Sequence, residues 1–254
     1  MPVVPNPRLL CQTKEKMSIT LSDGLTVRER LLAMQADSNK EFTRRLHPGV
    51  ENILGLRVPA LRQLAAEIAR GDWRRYLEDP GSYYMEERML HGMVLGKIRI
   101  DNTDTYLEMV GDFVKRINSW SVCDTFDFSG GRKFVDKNSD KIFEWLRTFI
   151  DSEAEYSVRF GVVMLLKYYI NDCYLDAVEK TLGSISHTGY YVSMAVAWTI
   201  AEILIKYPDR GTAWLHTRPV DAQTMRRAIQ KAIESYRIDP ARKELLRKFR
   251  ATQA

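Results

Sequence analysis

From Thr26 onward, apolar residues recur at intervals of three and four, the spacing that lines one face of an α-helix. Val27, Leu31, Leu32 and Met34 form a first amphipathic segment, stopped at Asp37-Ser38-Asn39. A short helical segment over residues 41–46 is cut by Pro48-Gly49. Pro59 suits a first helical turn, where the N–H it lacks would have no partner. It is expected to open the helix carrying Leu61, Leu64, Ala65 and Ile68, with Gly71 as its stop. One further turn follows over residues 73–77. Longer helices are expected over residues 86–99, 104–117, 142–150, 155–170, 175–182, 190–206 and 225–236, and a last basic one from about residue 240 to 249. No stretch shows strand-like alternation bounded by turn signals.

About a dozen helices with short connections suggest an all-α chain of helical pairs stacked as a solenoid. The pairs return roughly every 35–45 residues, a rhythm that suits HEAT-like units. Rhythm alone also suits a compact irregular bundle. A solenoid would bear on function because its concave face can cradle a rod such as duplex DNA.

Pro2, Pro5 and Pro7 suggest an unstructured leader over residues 1–22, with a single domain over 23–254. The composition, 45% hydrophobic and 28% charged, is that of an ordinary soluble protein. An excess of 38 Lys+Arg over 33 Asp+Glu gives +5, compatible with a polyanionic partner. Cys11, Cys123 and Cys173 show neither disulfide nor zinc-ligand spacing, as expected of reduced thiols. No apolar run is long enough to span a membrane, and the N-terminus lacks the apolar core of a signal peptide. A cytoplasmic protein is therefore expected.

Chemistry enters at Trp120 and Asp124, which stand four residues apart. On a helix that spacing puts an indole and a carboxylate on one face, one turn apart. Such a pair is poor core material and a reasonable surface for a cation, although an interfacial Trp beside a salt-bridged Asp fits too. Arg159 begins a nearly all-apolar segment, where a guanidinium must be paired or aimed into an anion-binding cleft. The paired alternative is a structural bridge to Glu155 or Asp124. Trp198 lies among small residues, Ala195-Val196-Ala197, and could fill a core gap or face a cleft. Arg226, Arg227 and Lys231, followed by Arg242, Lys243, Arg247, Lys248 and Arg250, concentrate positive charge near the end of the chain.

Three motifs occur in register: Trp-x-x-x-Asp at Trp120 and Asp124, Val158-Arg159 before an apolar helix, and Ala195-Val196-Ala197-Trp198. Together with the stretch Ile53-Leu54-Gly55-Leu56-Arg57-Val58-Pro59-Ala60-Leu61-Arg62, this set resembles the AlkD-like DNA alkylation repair glycosylases over about residues 26–249. The resemblance implies a right-handed superhelix of HEAT-like (ARM-type) repeats wrapping duplex DNA that contains alkylated purines. The implied activity is excision of cationic bases such as N3-methyladenine and N7-methylguanine, without drawing the base into a pocket. It implies a catalytic set of Trp120, Asp124 and Trp198, with Arg159 on a phosphate. Arg226, Arg227 and Lys231 are expected to make further phosphate contacts. A monomer needing neither a metal nor a small-molecule cofactor is expected. One feature departs from the pattern: Pro48-Gly49 interrupts the span of the family's N-terminal DNA-contacting helix, because an internal proline costs a helix ~3 kcal/mol or more. That places the chain beside a branch lacking this helix, in which excision could be lost. The alternative is then a non-catalytic HEAT-like module binding DNA or another protein.

Overall fold

A computed structural model describes residues 19–251, except Ser38 and the side chains of Ala36 and Asp37. It contains fifteen α-helices and one 3-10 turn, and no strand among the described residues. The chain runs through α1 (Val27–Ala33), the turn Met34–Asp37, α2 (Lys40–Leu46), α3 (Val58–Arg70), α4 (Trp73–Glu78), α5 (Met85–Leu95) and α6 (Thr103–Val114). It continues with α7 (Trp120–Asp124), α8 (Gly131–Lys137), α9 (Ser139–Ile150), α10 (Glu155–Tyr168) and α11 (Leu175–Ser184). The last four are α12 (Tyr190–Lys206), α13 (Pro208–His216), α14 (Ala222–Glu234) and α15 (Pro240–Ala251).

The expected all-α architecture is present. Residues 1–18 of the expected leader lie outside the described residues, whereas residues 19–22 turn back onto the domain and bury Leu21. Two helices escaped the periodicity. α8 follows Gly130-Gly131 and buries only Val135, so it has no apolar stripe to read. α13 carries Pro208 and Gly211, which read as breakers, yet Pro208 sits in the first turn where proline is tolerated. The helix expected over 86–99 stops at Leu95, with Gly96 as its cap; Ile98 stays in the core without belonging to it.

α3, α5, α7, α10, α12 and α14 pack in succession, each against the next. α4, α6, α9, α13 and α15 back this row from behind, as stacked helical pairs do. α12 and α14 run in the same direction: Ser193 bonds Thr224 near their starts, and Glu202 towards the end of α12 meets Arg237, just past the end of α14. The two central helices, α10 and α12, are apolar nearly all round, and helices of that kind must be covered on every side. Gly161 shows how closely they are covered, because a Cβ there would lie 2.5 Å from Ile150.

Two buried glutamates build the end of the molecule that carries α1 and α2. Glu86 accepts from the backbone N–H groups of Leu54, Gly55 and Leu56 at 3.0, 2.7 and 3.4 Å. Glu87 accepts from Tyr83 and Tyr84 N–H and from Arg28 Nε, which ties α1 to α5. Buried carboxylates are tolerable only with such complete partnering. Gly55 then approaches the start of α2: its carbonyl accepts from Asn39 N–H at 3.1 Å, and its φ is +82°.

Candidate active site

α7 is a single turn of helix. Ser119 caps it by accepting from Val122 N–H, and Thr125 Oγ1 returns a hydrogen bond to Ser121 O at its other end. Val122 and Cys123 face the core, so Trp120 and Asp124 are left on the accessible side, both half-buried. Burial pushes the Cys123 thiol well up, with Asp124 adding to the effect, and keeps it a neutral packing group.

Asp124 meets Arg159 of α10 in a two-pronged ion pair. Nε donates to Oδ1 at 3.1 Å and Nη2 to Oδ2 at 2.7 Å. The remaining arm, Nη1, donates to the Tyr191 carbonyl of α12 at 2.8 Å. Only 6% of Arg159 is exposed. Burial by itself would lower the guanidinium pKa, but the hydrogen bonds and charge of Asp124 reverse this, and the net shift is upward. Arg159 therefore stays cationic and holds Asp124 in one orientation. The structural bridge to Asp124 is the arrangement observed. Three of the five guanidinium N–H groups are engaged in this way, which leaves one on each terminal nitrogen for any further acceptor.

Two residues that the sequence reading passed over complete the surroundings. Lys167, two turns beyond Arg159 on the same side of α10, donates to the carbonyls of Asp124 and Phe126 and to Asp127. Carbonyls at a helix C-terminus lack intrahelical partners, so a lysine there both caps and attracts. A lone lysine in an apolar helix, eight residues after Arg159, was the signal available for it. His47, the C-cap of α2, stacks flat on Trp120 with ring centres 4.6 Å apart and planes 7° apart. It lies directly before a proline, a position that reads only as a turn.

Trp198 lies on α12 seven residues beyond Tyr191, hence on the same face and about 10 Å further along the axis. It is 40% exposed. The structure thus pairs Asp124 with Arg159 directly; Trp120 stands one helical turn from Asp124 on α7, and Trp198 lies two turns along α12 from the Tyr191 carbonyl that Arg159 bonds. Of the basic group on α14, Arg227 donates to Ser193 Oγ at 2.6 Å and lies 5.2 Å over the Tyr190 ring. Lys231 is one turn further along that face, and Arg226 is exposed about 100° around the helix. Among the described residues, no group of three His, Cys, Asp or Glu side chains is placed to hold a metal ion, and no helix is long and apolar enough to cross a membrane.

A family model for the DNA alkylation repair enzyme matches residues 27–236, nearly all of the described helices. The chain belongs to the DNA alkylation repair enzyme family. No curated protein and no solved structure matches it. The match contains Trp120, Asp124, Arg159 and Trp198, and also Arg226, Arg227 and Lys231, and it stops before α15.

Proposed function

We propose that this member of the family is a DNA glycosylase that releases cationic alkylpurines, such as N3-methyladenine and N7-methylguanine, from duplex DNA. The observation that carries the reading is the ion pair of Asp124 and Arg159 one helical turn from the Trp120 indole. An alkylated purine bears a positive charge and leaves as a neutral base when its bond to the sugar C1′ breaks. The sugar is then the cation. Asp124, whose side chain keeps 16% exposure, would stabilise that cation and orient the water that attacks C1′. Indole faces at Trp120 and Trp198 attract cations by ~0.5–2 kcal/mol each. In this reading Arg159 serves by aiming Asp124, and Arg227 and Lys231, with Arg226 beside them, contact the phosphate backbone.

The experiment is base release from duplex DNA carrying N7-methylguanine or N3-methyladenine. Wild-type protein should release base above the spontaneous rate, and Asp124→Asn should abolish the excess. Equal release by Asp124→Asn removes the carboxylate from the mechanism.

One observation favours the second reading, a DNA-binding module without excision. α2 ends at Leu46 and no residue of it is buried, so the interruption expected at Pro48-Gly49 is present and the N-terminal helix is short. Sequence-independent duplex binding with no release by wild type would establish that reading. If the backbone is tracked, log affinity should fall linearly with log salt at about 0.9 per phosphate neutralised. Replacing Arg226, Arg227 and Lys231 together should make the slope shallower.

A further inference from the structure

α2 buries no side chain of its own, so its two ends dock it. One end is the Asn39 N–H bonded to the Gly55 carbonyl. The other end is Leu46 and His47, and both close on Trp120. The indole N–H donates to the Leu46 carbonyl at 3.1 Å. The His47 imidazole covers one indole face at 4.6 Å. Its Nδ1 lies 2.8 Å from the Thr43 carbonyl, which can only accept, so Nδ1 carries the hydrogen. In the neutral ring, Nε2 then accepts from the hydroxyl of Ser121 at 2.7 Å, the residue next to Trp120.

We propose that His47, together with the Leu46 carbonyl, is a positioning residue for Trp120: it commits one indole face to the protein and leaves a single, fixed face for a cationic sugar or base. This rests on the glycosylase reading of the site. Cation–π attraction depends on the cation lying over the ring face, and an unrestrained tryptophan samples several rotamers about its two side-chain torsions. Here the indole is fixed at its nitrogen and across its plane. The geometry favours a brace over a gate. His47 is only 4% exposed, and swinging it away would break both ring hydrogen bonds and the stack together. The break at Pro48-Gly49 therefore has a use. It ends α2 where the next residue can turn inward onto α7, with Gly49 at φ +79° completing the turn.

Two measurements test this. The first is hydrogen exchange of the Trp120 indole N–H in 1H–15N spectra, with the resonance assigned by Trp120→Phe. Wild type should show a protected indole, and His47→Ala should speed exchange by roughly tenfold or more, since the flanking contacts are lost. His47→Phe, which keeps a flat ring but no ring hydrogen bonds, should retain part of the protection. Ser121→Ala, which removes only the Nε2 bond, should fall between wild type and His47→Ala, and it carries the comparison if His47→Ala does not fold.

The second compares binding of duplexes containing a cationic pyrrolidine abasic mimic and its neutral tetrahydrofuran counterpart. The preference for the cation should drop by roughly 3–10-fold in His47→Ala, with affinity for the neutral duplex unchanged. An unprotected indole in wild type, or protection and preference both unaltered in the variants, overturns the proposal. Base release is scored separately. A braced indole that prefers the cation in a protein releasing no base would refute the glycosylase reading and leave this one standing.

Discussion

Arg159 and Asp124 form a two-pronged ion pair with the shorter contact at 2.7 Å, and the guanidinium is almost wholly enclosed. Removing one partner of a buried pair leaves the other charged and unpaired. Arg159→Ala should therefore destabilise the fold by ~3–5 kcal/mol, and it also removes the hydrogen bond to the Tyr191 carbonyl. The outward reach to phosphate that the resemblance implies would instead leave the change nearly neutral to folding. Urea denaturation of Arg159→Ala and Arg159→Lys checks the point. Lysine keeps the charge without the fork, and should recover less than half of the loss. A loss below about 1 kcal/mol in both variants would mean that the pair is worth no more than a surface bridge.

The two tryptophans should differ in what they contribute to stability. Trp198 is flanked by small residues that suit a core gap or a cleft alike, but those residues face the core and the indole faces out at 40% exposure. Trp120 is half-buried, stacked on His47 and hydrogen-bonded to Leu46. Trp120→Ala is expected to cost ~2–3 kcal/mol and Trp198→Ala about 1 kcal/mol or less, since cavity and stacking terms apply mainly to the first. Parallel denaturant titrations with equal slopes would give both values. Both variants should lose excision whichever loses more stability.

These two cases show what the sequence could and could not convey. Helical periodicity located most helices, because amphipathic stripes such as Leu61, Leu64, Ala65 and Ile68 follow from the helix repeat and nothing else. The Trp120, Asp124, Arg159 and Trp198 set was legible as spacing and resemblance. Pairing was not. Whether Arg159 meets Asp124 or solvent depends on how α7 and α10 are docked, which no local pattern encodes. His47 was invisible for the same reason, since its partner lies 74 residues away. Glu86 and Glu87 occupy the first turn of α5, where acidic residues are ordinary, yet both are buried: Glu86 clamps the loop over residues 54–56 and Glu87 ties α1 through Arg28.

Gly55 offers a sharp test of how α2 is held. Its φ of +82° disfavours any side chain, and a Cβ there would lie 2.4 Å from the Lys40 Cα and 2.5 Å from its nitrogen. Backbone atoms cannot move aside as a flexible side chain can. Gly55→Ala should cost ~3 kcal/mol or more, the sum of left-handed strain and displacement of α2. Gly49→Ala, with φ +79° and open space around it, carries only the strain and should cost ~1–2 kcal/mol. If α2 is displaced in Gly55→Ala, Trp120 indole protection should fall as well, because His47 rides on the same helix. Equal losses in the two variants would show that the close approach to Lys40 contributes nothing.

His91 makes stability depend on pH. It lies in α5 with 5% exposure, its ring edge-on to Phe113 and its Nδ1 without a partner among the described residues. Burial is the main cause that lowers its pKa from 6.5 to about 3, with nearby Arg116 adding to the shift and Asp112 opposing it. The neutral ring is the folded form. Between pH 6.5 and about 3 the unfolded chain binds a proton at this position that the folded chain does not. Stability is thus full above the unfolded value and falls as the pH drops below it, by ~1.4 kcal/mol per unit. At about pH 4.5 the loss from this residue should reach ~2–3 kcal/mol relative to pH 7.5. Other groups titrate in the same range, so the informative quantity is a difference of differences. Denaturation of wild type and His91→Leu at both pH values should show the wild type losing ~2–3 kcal/mol more than the variant. Parallel losses in the two proteins would mean that His91 accepts a proton in the folded state, and that its environment is more polar than the packing against Phe113 implies.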